Sequence, residues 1–415
     1  MALRAACRLA LALLSGAAAC ACVASTRPPA PETLRARSLP FRAILQGYPA
    51  PDDPVFWDRG FWSARLSEWS REGLNAVVWF GPGELTTGEQ LLLRHERYPE
   101  ARELPVEESG RRIDQMRWLF EAAHEAGLQN LLLSQHLFFT EAFGRRHGLL
   151  DPRPVSPEVT HRHNEGYPDL WRSGRRIRAC GVRNDLTTAY TRAVYEELIA
   201  TYPALDGFYG MLGEPLPGRR SAFFREAIAP ALRASGRRPL FLACQWQVPL
   251  DDFLADVAPR EVYDRVWLGF HGYNSEQITD AKPYPGVVEW SERTGLPTVV
   301  EIYPANVQWF PWNSPRLAYE IADEMKRVEG VAGFIYAERF VSGTRLGPLF
   351  RKALARYAQG SEPYSEDPWL EELEKEFGDR AAALHFLRAY DVGGRILPET
   401  CALLYSGGDV IRREL

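Results

Sequence analysis

The sequence predicts an α/β fold, a (β/α)8 TIM barrel with a short C-terminal helical appendage. Two observations carry that prediction: short apolar runs rich in β-branched and aromatic residues recur eight times, and helix-period segments lie between most of them. Near-continuous apolar runs suit strands buried on both faces, as in a parallel sheet. Eight strand–helix units over about 300 residues match a closed barrel better than an open doubly wound sheet. No Gly-x-Gly-x-x-Gly follows the first run, which removes the commonest reason for a dinucleotide reading.

The predicted strands are, in order, Phe41–Tyr48, Asn75–Gly81, Gln129–Gln135, Asp206–Glu214, Pro239–Trp246, Arg265–Tyr273, Pro297–Pro304 and Val331–Phe340. The predicted helices include Phe61–Glu72, Gly110–Ala126, Thr188–Tyr202, Arg220–Ala234 and Pro315–Glu329. Gly73, Gly127, Gly295 and Gly330 sit where C-capping glycines belong. Asp185 is the expected N-cap of the fourth helix, since short polar side chains favour that position. The insert from His136 to Asp185 follows the third strand and belongs on the C-terminal rim, where loops build a cleft. A helical tail, Asp367–Tyr390, follows the last barrel helix.

The N-terminus has the order of a secretory signal: Arg4 and Arg8, the apolar run Leu9–Leu14, then the small-residue stretch Ser15–Cys20. Ala17-Ala18-Ala19-Cys20 also resembles a bacterial lipoprotein box, so membrane attachment is expected only through a lipidated Cys20. The expected organisation is therefore a signal over 1–25, a Pro- and Arg-rich linker over 26–40, a barrel over 41–360 and a helical extension over 361–415, in an exported protein. Cys180, Cys244 and Cys401 remain after the signal, an odd number without metal-ligand spacing. A net charge of −5 gives no electrostatic reason to expect nucleic acid as a partner. Absence of a Gly-x-Ser-x-Gly elbow, a P-loop and a His-Glu-x-x-His leaves esterase, NTPase and zinc-protease readings without support. No cofactor or metal is called for.

Barrel enzymes place their chemistry at the C-terminal ends of strands. Strand four ends Gly213-Glu214-Pro215, a carboxylate among apolar neighbours, where desolvation favours the protonated form that a general acid needs. Glu301 interrupts the apolar run of strand seven, and a buried lone charge is costly unless it is paired or faces a solvated site. His271 and Glu276 lie at or just beyond the end of strand six, and strand eight contributes Glu338, which either pairs with Arg339 or faces the cleft. Two carboxylates across a cleft are the usual equipment for cleaving a glycosidic bond. His136, Trp246, Tyr303, Trp309 and Arg183 are candidate substrate contacts, with Trp246 flanked by Gln245 and Gln247. Trp79 and Tyr209 are either sugar platforms or top-layer core. An oligo- or polysaccharide is the expected partner.

The segment Leu205–Gly218, the stretch from His271 to Glu276 and the strand carrying Glu301 resemble the acid- and base-bearing regions of bacterial and fungal α-glucuronidases of xylan degradation. Asp367–Tyr405 is similar to the start of that family's C-terminal helical domain. The resemblance implies Glu214 as general acid, with Glu276 and Glu301 activating water and inverting the anomeric centre. That family usually carries Asp at the position of Glu276, and its N-terminal β-domain has no counterpart here. Glu214-Pro215 and Glu301 also resemble the acid/base and nucleophile positions of the retaining barrel glycosidases, with Gly213 where those enzymes carry Asn. A catalytically silent glycan-binding barrel is the reading from a different class.

Overall fold

The computed structural model describes residues 37–47, 54–80, 92–134, 139–149, 184–212, 221–246, 248–271, 285–302, 314–337 and 347–404. Within them, eight parallel strands close on themselves in chain order: β1 (Phe41–Gly47), β2 (Ala76–Phe80), β3 (Gln129–Ser134), β4 (Gly207–Met211), β5 (Leu240–Cys244), β6 (Val266–Phe270), β7 (Thr298–Ile302) and β8 (Val331–Ala337). β8 returns to pair with β1, Phe41 opposite Gly333 and Leu45 opposite Ala337. Each strand lies within the run expected of it.

The period-2 alternation of a strand divides the residues between two cores. One set points into the lumen, including Leu45, Val78, Leu131, Tyr209, Met211, Leu242, Cys244, Val299 and Ile335. The other points outward against the helices, including Ile44, Trp79, Leu132, Phe208, Phe241, Val300 and Phe334. Trp79 belongs to the outward set: its ring packs on Trp62 and Phe120, and its Nε1 donates to Asn130 Oδ1 at 2.9 Å. It is structural core, not a platform at the mouth.

The helices of the outer ring are α1 (Pro54–Trp57), α2 (Arg59–Arg71), α3 (Val106–Glu125), α4 (Glu141–Arg146), α5 (Asp185–Thr201), α6 (Ala229–Ala234), α7 (Leu250–Asp256), α8 (Pro285–Thr294), α9 (Pro315–Arg327) and α10 (Gly347–Gln359). Gly73, Gly127, Gly295 and Gly330 all have positive φ, as C-capping glycines should. The N-cap of α5 differs by one residue from expectation. Asn184 is extended, accepts from Thr187 N and completes a capping box with the Thr187 side chain, so Asp185 is the first helical residue. The helix expected over Arg220–Ala234 also departs from ideal form. Phe224–Ile228 is a π turn, with Ala229 N donating to Phe224 O, before α6 begins. Pro230 has no N–H for the carbonyl one turn back and its ring crowds that carbonyl, which accounts for the widening.

The helical tail is two helices, α11 (Asp367–Phe377) and α12 (Arg380–Leu404), and runs past the Tyr390 bound expected of it. Gly378 turns left-handed at φ 71° and ends the first. The Asp379 carboxylate then accepts from Ala381 N and Ala382 N to start the second. Arg316 of α9 ties this pair to the barrel through Glu366 at 3.4 Å and Asp391 at 3.3 Å. Among the described residues no helix is long and apolar enough to cross a membrane.

Candidate active site

The upper part of the lumen is polar. Glu301, the fourth residue of β7, points inward and is 1% exposed. Its Oε2 accepts from the Tyr209 hydroxyl of β4 at 2.7 Å and lies 2.7 Å from His271 Nδ1, just past β6. A carboxylate can only accept when ionised. With Glu301 ionised both neighbours donate, which fixes the proton of the His271 ring on Nδ1. The apolar run therefore tolerates this carboxylate because two donors from other strands compensate it, as burial of a charge requires.

His271 is itself positioned by β5. Gln245, the residue after that strand, accepts from His271 N through Oε1 at 2.8 Å and donates from Nε2 to His271 O at 3.3 Å. Gln245 N donates to Gly269 O at 3.1 Å, which continues the β5–β6 ladder upward. The half-buried Trp246 comes next, its ring centroid 4.7 Å from that of His271. Below them Cys244 is fully buried. Burial pushes its thiol up to about 11, and His271 and the Tyr209 hydroxyl pull the other way. The thiol is protonated at neutral pH and adds no second negative charge beside Glu301.

Three of the sequence-derived candidates thus converge: Glu301, His271 and Trp246. Glu214, Glu276, His136, Tyr303, Trp309, Glu338 and Arg183 lie outside the described residues, as do Arg339 and Gln247. Tyr209, placed by its sequence either as platform or as core, is a partner of Glu301 from across the lumen. Cys244 and Gln245 were passed over as members of this cluster. Inward alternation from Tyr209 and from Cys244 is the signal that places them on the lumen face with Glu301. Among the described residues no group of three or more His, Cys, Asp or Glu side chains is arranged to hold a metal ion.

Chemically, the arrangement supplies one carboxylate at the C-terminal end of a barrel strand, held by a phenol and an imidazole, with the Trp246 ring against that imidazole. Such a group can accept a proton from water or attack an electrophilic carbon.

No family model matches the chain, and no curated protein matches it in sequence. Its fold is matched by solved structures. A GH138 enzyme targeting pectin rhamnogalacturonan II superposes with a TM-score of 0.66 at 19% identity, over 88% of this chain and 45% of that one. This chain therefore spans less than half of that enzyme's length. A β-N-acetylhexosaminidase from Bacteroides fragilis gives a TM-score of 0.52 at 12% identity, covering 83% of this chain and 70% of that one. An endo-β-1,4-mannanase from Thermotoga petrophila gives 0.50 at 10% identity, covering 80% of each chain. At such identities the likeness is one of fold.

Proposed function

We propose that this protein is a glycoside hydrolase acting, without cofactor, on an extracellular or periplasmic glycan. One observation carries the reading: Glu301 is a buried carboxylate at the C-terminal end of β7 whose Oε2 has both a Tyr and a His donor at 2.7 Å. A structural carboxylate in a barrel would be expected to pair with Arg or Lys. Here a phenol and an imidazole from two other strands converge on one carboxylate oxygen, an arrangement that favours the ionised form and suits a base or nucleophile. Glu214, at the end of the strand-four run, is the proposed general acid, and Glu276 is proposed to assist Glu301 in activating water.

The substrate class is a glycan carrying uronic acid. The resemblance of the Leu205–Gly218 and His271–Glu276 segments to α-glucuronidases supports this, as does the pectic target named for the GH138 neighbour. Arg183 is proposed to reach the acidic sugar, and His136, Tyr303, Trp309 and Glu338 to line the cleft with Trp246. The exported location rests on the Arg4-to-Cys20 segment.

The test is a reducing-end assay on a panel of pectic, xylan-derived and bacterial glycans. Wild type is compared with Glu214→Gln and Glu301→Gln, each checked for folding. Loss of turnover by about 10²-fold or more in both variants is expected for essential acid–base groups. Turnover indifferent to Glu301 rejects the proposal, and binding without turnover puts the silent barrel ahead. Anomeric configuration of the first product, read by NMR, then separates inversion from the retaining mechanism in which Glu301 is the nucleophile.

A further inference from the structure

We infer that Tyr209 is a positioning residue that fixes the charge and direction of the Glu301 carboxylate, and that Gly269 serves the same reaction by making room for the Tyr209 ring. The inference rests on the reading of Glu301 as the reacting base or nucleophile.

Tyr209 and Glu301 belong to β4 and β7, three strands apart round the barrel, so the phenol ring must cross the lumen to reach the carboxylate. The crossing is possible because β6 offers no side chain at the inward position between Trp267 and His271. A Cβ built on Gly269 would stand 2.6 Å from Tyr209 Cε2 and 3.3 Å from Cδ2. Real Cβ contacts are never that close, so any larger residue at 269 displaces the ring. Gly269 has no positive φ. Its place in the strand answers to the space it leaves, not to backbone conformation.

The hydrogen-bond directions reinforce one another. Cys244, paired with Gly269 across β5 and β6, lies within hydrogen-bonding reach of the Tyr209 hydroxyl. The Cys244 thiol donates instead to Gln245 Oε1 at 4.0 Å, and the phenol proton goes to Glu301 Oε2. His271 Nδ1 supplies the second proton to the same oxygen. Groups facing Glu301 include Tyr209 from β4, Cys244 from β5 and His271 from β6, and its pairing partner on β8 is the apolar Ile335. Two donors on one oxygen match a carboxylate and not a carboxylic acid protonated there, so losing either makes protonation easier.

The experiment is the pH dependence of kcat/KM for wild type, Tyr209→Phe, Gly269→Ala and the double variant. Infrared titration of the Glu301 carboxyl, identified by its loss in Glu301→Gln, is recorded on the same four proteins. Loss of one charge-assisted hydrogen bond is expected to move the acid limb and the infrared midpoint upward by about one to two pH units in Tyr209→Phe, with kcat falling and KM nearly unchanged. Gly269→Ala should move both the same way. It should add nothing in the Tyr209→Phe background, where no hydroxyl remains to misplace. Unmoved limb and midpoint in Tyr209→Phe overturn the inference, and an additive Gly269→Ala shift removes Gly269 from it. Tyr209→Phe is close to isosteric, so it keeps the test alive if Gly269→Ala does not fold. If no glycan is turned over, the functional reading fails while the infrared midpoint still decides the role of Tyr209.

Discussion

Arg351 of α10 is fully buried, an uncommon place for a guanidinium. It reaches from the last barrel helix to the first long one. Its Nε donates to Glu72 Oε2 at 2.7 Å and its Nη2 to Glu72 Oε1 at 2.9 Å, a bidentate pair, with Glu68 Oε1 a further 3.2 Å contact. The cluster closes the outer ring where β8 meets β1. Burial pushes the Glu72 carboxyl up, and Arg351 pulls it back only in part. Glu68 is buried less, and Arg65 and Arg351 outweigh that burial and hold it below the ordinary range. Arg351→Met keeps most of the side-chain volume but leaves Glu72 without its cation, which typically costs about 3–5 kcal/mol. Unfolding entropy scales with chain length, and for a barrel of this size the cost corresponds to roughly 5–8 °C in Tm. The pH dependence identifies the cause. A carboxylate raised in the folded state contributes stability that is fully present below its unfolded pKa and lost as pH rises through its folded one. In Arg351→Met the Glu72 shift grows, so the deficit should be largest at pH 7 and shrink towards pH 5 as Glu72 takes up a proton. Adding Glu72→Gln should recover part of the loss, because it removes the uncompensated charge. Thermal unfolding at several pH values measures all three proteins. A deficit below about 1 kcal/mol, or one that grows as pH falls, would refute the idea that Arg351 acts by compensating a buried carboxylate.

Other outcomes follow from the same geometry. Gly333→Ala should abolish soluble expression, because a Cβ there would meet the Phe41 carbonyl oxygen at 1.8 Å on the β8–β1 seam, and backbone cannot yield as a flexible side chain can. Cys244 should resist alkylation at pH 8 in the folded protein and react once denaturant is added, as mapped by peptide mass spectrometry, since its thiol is buried and raised to about 11. Trp246→Ala should lower kcat/KM several-fold to about tenfold, mainly through KM, if the ring packed on His271 also carries a sugar face; an unchanged KM would confine Trp246 to packing.

The eight strands were legible because a strand buried on both faces leaves a near-continuous apolar run that needs no knowledge of its neighbours. The helix irregularities were not. The π turn at Phe224–Ile228 depends on how one proline's missing N–H is accommodated, and the break in the tail depends on Gly378 turning left-handed. At the site, Glu301 stood out as a charge inside an apolar run, and His271 and Trp246 as polar or aromatic residues at strand ends. The partnership of Tyr209 with Glu301 was invisible. The two residues are 92 positions apart and join only because the sheet closes, so no local pattern records it.

Closure also explains why an aromatic that reads as core reaches the Glu301 carboxylate. Inward positions of alternate strands stack in layers, and a layer keeps its density only if a large side chain on one strand is matched by a small one on another. The Tyr209 ring, from β4, fills the space left by Gly269 on β6, and that exchange carries a hydroxyl to the level of Glu301. Val299, Leu242 and Ile335 belong to the same apolar lumen cluster, which keeps water from competing for these hydrogen bonds. In such low-dielectric surroundings a satisfied polar network is strengthened and an unsatisfied one is penalised. Gly269, a glycine without a positive φ in the middle of a buried strand, thus makes room for a side chain arriving from elsewhere. In this barrel it points to the group that orients the carboxylate.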